Sequence, residues 1–105
     1  MTIEQLAELI QKEQREVIAR RYSQRQADAE VVEVVPGPKY TKVNRGPRWG
    51  PGRSDHNMSG FLMIENATGE IYGIRGYGQV NKKRHYGNLA DAASLYWGEY
   101  SPEQR

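Results

Sequence analysis

The chain has 105 residues, enough for one compact domain and too few for two. It has no cysteine, which excludes disulfides and thiolate zinc sites, and no apolar run near the ~20 residues of a membrane span. A net charge of +2 hides a segregation: residues 1–35 carry −2, residues 36–90 carry +6 and residues 91–105 carry −2.

Leu, Ile, Val and Phe together number 19, a thin stock for a core, so the ten aromatics must supply part of the buried area. The N-terminus enters directly into an amphipathic pattern without a basic, then apolar leader, which points to the cytoplasm. Thr2 and Gln5 form a capping box, and apolar residues recur at helical spacing, so a long amphipathic helix is expected over 3–28. Its stripe, Ile3, Leu6, Ile10, Val17 and Ile18, packs on the chain's own sheet. Alternatively it forms a homo-oligomer or captures a partner protein, being long for so small a sheet.

An antiparallel sheet of three to five short strands is expected over 30–81, giving an α+β fold in a single domain over 1–105. Glu30–Val35 is β-branched and stopped by Pro36–Gly37–Pro38. Residues 39–44 form a second strand, with Tyr40, Lys42 and Asn44 on one face and Thr41 and Val43 on the other. Residues 45–60 hold four Gly, two Pro and three Arg and read as a mobile loop. Residues 61–65 and 70–74 flank Asn66–Gly69 as a hairpin, and 77–81 is a further strand, with Lys82–Lys83–Arg84 at its end or in a turn. Asn88 caps a short C-terminal helix over 88–98, stopped by Gly98.

The basic middle segment is also rich in aromatics. Lys39, Lys42, Arg45, Arg48, Arg53, Arg75, Lys82, Lys83 and Arg84 supply charge for phosphates, and Tyr40, Trp49, Tyr77 and Tyr86 supply flat surfaces for bases. The competing reading is that tyrosines fill a small core and lysines solvate its rim. Asp55–His56–Asn57 with His85 lacks the converging ligand spacing of a metal or acid–base site, and no phosphate-binding glycine loop is present. The expectation is therefore a protein that is not an enzyme, with no metal and no cofactor.

Arg75–Lys82 is similar to the RNP1 octamer of RNA-recognition motifs at Arg75, Gly76, Tyr77, Gly78 and Val80, while Gln79 and Lys82 replace aromatics. The resemblance carries over only Arg75 and Tyr77, as RNA contacts. A second resemblance covers residues 38–90. Lys39–Val43, Ser59–Glu65, Thr68–Tyr72 and Tyr86–Leu89 follow one another in an order that resembles small uncharacterised proteins of bacteriophage and other viral genomes. That resemblance implies viral origin and small size, without an activity. The leading expectation is a phage-encoded protein that binds single-stranded RNA or DNA. The alternative is a virion component or inhibitor of a host factor, docking through the N-terminal helix or the 45–60 loop.

Overall fold

The computed structural model describes residues 1–48, 58–99 and 101–105, and of Tyr77 only the backbone. Helix α1 (Ile3–Arg21) begins as expected: Gln5 N–H donates to the Thr2 hydroxyl at 3.1 Å, and Thr2 N–H donates to Gln5 Oε1 at 2.8 Å. The single helix expected over 3–28 is instead two. Tyr22 leaves helical geometry, and the Ser23 side chain accepts the N–H of Gln26 at 3.1 Å, capping α2 (Gln24–Ala29). The break lets α2 fold back on α1 and bury Ala27 and Ala29. Arg15 holds this turn, donating to the carbonyls of Glu30 at 2.9 Å and Asp28 at 3.3 Å.

Five antiparallel strands follow in meander order: β1 (Glu30–Val35), β2 (Tyr40–Pro47), β3 (Ser59–Glu65), β4 (Glu70–Arg75) and β5 (Gln79–Asn88). The expected mobile loop over 45–60 is corrected at both ends. Glu30 pairs with Pro47, and Arg45 pairs with Ser59, so 45–47 and 59–60 belong to the ladder; residues 49–57 lie outside the described residues. Backbone partners offered by β1 outweigh the turn-like composition there. The hairpin at residues 61–74 forms as read, with Gly69 at φ +78°.

The strand expected over 77–81 starts two residues later and runs on to Asn88. Tyr72 pairs with His85 but Gly73 pairs with Asn81, so Lys82, Lys83 and Arg84 form a bulge inside β5 rather than a terminal turn. Gly73 permits this, because a β-carbon there would lie 2.9 Å from Arg84 Cβ and 3.1 Å from the Tyr86 hydroxyl. A basic bulge on an edge strand also discourages sheet-to-sheet aggregation.

The short C-terminal helix expected over 88–98 is only a 3-10 helix at Leu89–Ser94, followed by β6 (Leu95–Tyr96) pairing with β7 (Glu103–Gln104). Burial of Trp97 explains the difference. Its side chain is fully enclosed and its indole N–H donates to the Ala92 carbonyl at 2.9 Å, which draws the chain off a helical path.

The core joins Leu6 and Ile10 of α1 to Val43, Leu62, Ile64 and Ile71 of the sheet, with Ala92 and Trp97. The N-terminal stripe is therefore not a free interface. Leu6 and Ile10 have no exposed surface, Val17 is buried, Ile3 packs on the cluster and Ile18 is half-buried. Polar contacts complete the seal. Buried Glu13 accepts the Trp97 N–H at 3.2 Å and two Arg105 donors at 2.9 Å, and Gln14 donates to the carbonyls of Trp97 and Glu99. Among the described residues, no helix is long and apolar enough to cross a membrane.

Candidate nucleic-acid interface

Strand alternation sorts the sheet into two unlike faces. Thr41, Val43, Leu62, Ile64 and Ile71 are buried toward α1, whereas Tyr40, Lys42, Asn44, Met63, Tyr72 and Ile74 are only half-buried on the other side. The strand registers align that second face into one row. Val35 pairs with Lys42, Lys42 with Met63, Met63 with Tyr72, and Tyr72 with His85, so a single line crosses all five strands.

Within the row, the Tyr72 and His85 rings lie 5.2 Å apart at 41°, and His85 Nε2 sits 2.6 Å from Glu70 Oε2. Tyr40 lies beside the row, with the Lys39 ammonium 5.7 Å from its ring centre. Arg48 is exposed and pairs with Glu33 at 3.3 Å. Arg75 ends β4 in an exposed position, and Lys82 and Lys83 are exposed on the β5 bulge.

Not all the residues singled out from sequence join this face. The Arg45 guanidinium lies on the α1 side, stacked 5.4 Å from the Phe61 ring centre and donating to Gln14 Oε1 at 2.9 Å. Tyr86 packs against the core, and Arg84 crowds Gly73 beside it. These three residues, with Phe61 and buried Glu30, line a cleft of about 440 Å³ on the α1 side of the sheet. Burial pushes the Glu30 carboxyl above its usual range, an effect opposed by the positive charges of Arg45 and Arg15. Among the described residues, Lys42 does not line the cleft that holds Arg45, Arg84 and Tyr86; it lines a separate recess that shares only Gly60 and Ile74 with it. Trp49 and Arg53 lie outside the described residues.

The RNP1-like octamer also takes a different shape. Arg75 ends β4, Gly76–Gly78 is a 3-10 turn and Gln79 opens β5, so the motif straddles a hairpin instead of lying along one strand. Asp55–His56–Asn57 lies outside the described residues, and among those described no three His, Cys, Asp or Glu side chains gather as for a metal ion.

Val35, Met63, Tyr72 and His85 are the members of the row that the sequence did not point to as binding residues. The signal that could find two of them is alternation along the 61–74 hairpin, which sets Met63 and Tyr72 opposite Leu62, Ile64 and Ile71. Linking them to Lys42 requires the β2–β3 register, which includes a bulge after Val43. Compared with models of known families, with curated proteins and with solved structures, the chain matches none.

Proposed function

We propose that the open face of the sheet binds single-stranded RNA or DNA without catalysing a reaction on it. The observation that carries this reading is the continuous row Lys42–Met63–Tyr72–His85, half-buried to exposed on one face of the sheet while α1 packs on the other. A flat sheet with aromatic rings suits bases, since every base has a π-face, and it tolerates sequence variation. Tyr40, Tyr72 and His85 act as stacking surfaces. Lys39, Lys42, Arg75, Lys82 and Lys83 neutralise phosphates around them. Of the acidic groups on this face, Glu33 and Glu70 are held by Arg48 and His85, which lessens their repulsion of a polyanion, while Glu65, across from Tyr40, accepts from the Thr68 hydroxyl.

A phage-encoded role in the host cytoplasm follows from the resemblance over residues 38–90 and belongs to the same proposal. The alternative of docking to a host or virion protein through the N-terminal stripe has little support, since Leu6 and Ile10 are spent on the core.

Fluorescence anisotropy with a labelled single-stranded 12-mer tests the proposal. Wild-type protein raises the anisotropy at 50 mM salt, and Tyr72→Ala weakens binding about 5- to 150-fold, the value of losing one stacked base. Absence of binding by the wild type at 50 mM salt sinks the proposal.

A further inference from the structure

At one end of the open face, the β4–β5 turn, Lys42 and Asn44 enclose a recess of about 390 Å³. Its described lining includes two cations, Lys42 and Arg75, and no carboxylate. Neither cation makes an ion pair among the described residues. Lys42 Nζ lies 3.7 Å from the point a β-carbon on Gly78 would occupy, so the ammonium rests against the turn.

The turn itself has an anion-binding form. Gly76–Gly78 is a 3-10 turn that ends with Gly78 at φ +72°, and a right-handed turn followed by a left-handed residue turns successive N–H groups into a concavity. Among the described residues, and apart from Gly76 and its two chain neighbours, no atom lies within 4 Å of the point a β-carbon on Gly76 would occupy.

We infer that this recess binds a phosphate monoester, and, resting on the nucleic-acid reading above, that it takes the terminal phosphate of a bound strand. The charge argues for an end over an internal link. A monoester carries about −1.5 to −2 at pH 7, matching two unpaired cations, whereas each internal phosphodiester carries one negative charge. Arg75 supplies a planar fork for two phosphate oxygens and Lys42 a point charge. Lys42 also opens the row to Met63 and Tyr72. Tyr72 stands two strands away, roughly 9.5 Å at ~4.8 Å per strand, where the terminal base can stack.

Three oligonucleotides of one sequence test the inference: 5′-phosphorylated, 3′-phosphorylated and with hydroxyls at both ends. One phosphorylated form binds at least about 10-fold tighter than the hydroxyl form, and Arg75→Ala brings that ratio close to one. Equal affinity for all three overturns the inference and leaves the nucleic-acid reading standing. If no oligonucleotide binds, that reading fails, and titration of ¹⁵N-labelled protein with inorganic phosphate decides the recess. Shifts of the Gly76 and Gly78 amides that vanish in a Lys42→Ala, Arg75→Ala double variant support a site for a free phosphate monoester. No shift at those amides overturns the recess as well.

Discussion

Replacing Trp97 with alanine should remove the keystone of the C-terminal segment. The ring is fully enclosed, meets Phe61 edge-on at 6.5 Å, and donates its N–H to the Ala92 carbonyl. Burying 150–250 Å² of ring at about 25 cal/mol per Å² is worth about 4–6 kcal/mol as an upper bound. Measured core truncations of this kind cost about 3–5 kcal/mol. A domain of this size has only about 5–15 kcal/mol of stability in all. At about 4–8 °C per kcal/mol, Trp97→Ala should lower Tm by about 12 °C or more, or leave the chain unfolded at 25 °C. Thermal and urea unfolding followed by far-UV circular dichroism measure this. Trp97→Phe keeps a ring beside Phe61 and removes the indole donor to the Ala92 carbonyl, which retains the Leu95 N–H, so the lost bond should cost about 0.5–1.5 kcal/mol. In a Trp49→Phe background Trp97 is the sole tryptophan, so its emission should be blue-shifted when folded and move red on unfolding. A loss below about 1 kcal/mol for Trp97→Ala would refute the claim that the tail belongs to the core.

Other outcomes separate the two faces of the sheet. If Lys39, Lys42, Arg75, Lys82 and Lys83 all neutralise phosphates, log K against log salt should have a slope of about −3.5, and a slope near zero contradicts this. Arg45→Ala removes the contacts to Phe61 and Gln14 and should destabilise the fold by about 1–3 kcal/mol in chemical denaturation. Its oligonucleotide affinity should stay within about 2-fold of wild type, because Arg45 lies across the sheet from the open face proposed to bind; a loss of 10-fold would place the site on the wrong side. Gly73→Ala forces Arg84 and Tyr86 away from β4 and should cost about 1–3 kcal/mol, read from urea midpoints, whereas an unchanged midpoint means the β5 bulge is not held there.

The buried Glu30 carboxyl adds a pH dependence. Burial raises its folded-state pKa above that of the unfolded chain, so the folded state holds the proton more tightly. Its contribution to stability is present below the unfolded carboxylate pKa and declines as pH rises through the folded value. Glu30→Gln should therefore raise Tm at pH 7 and converge with wild type below about pH 4. A lower Tm at pH 7 would show that attraction to Arg45 and Arg15 outweighs burial.

Local chemistry was legible wherever neighbours in sequence sufficed. The Thr2–Gln5 box, the start of α1, the Gly69 turn and the Tyr40/Lys42 against Thr41/Val43 alternation all depend on residues a few positions apart. The helix break was harder to see. Ser23 is an ordinary polar residue in a helical run until the gain from burying Ala27 and Ala29 selects it as a cap. The basic triplet shows the same limit: Lys82–Lys83–Arg84 reads as a turn, but Gly73 on the next strand makes room for it as a bulge.

By itself, then, the sequence determined the α+β class, the start of the first helix, the 61–74 hairpin, the positive middle segment and the pairing of aromatic with basic residues, because these follow from propensity, periodicity and charge. Only the tertiary structure decided which of those residues share a surface. Side-chain direction reverses with every residue along a strand and slips at each bulge. Register alone aligns Lys42, Met63 and Tyr72, the shift before Tyr72 adds His85 to that open face, and Arg45 and Tyr86 pack on the α1 side.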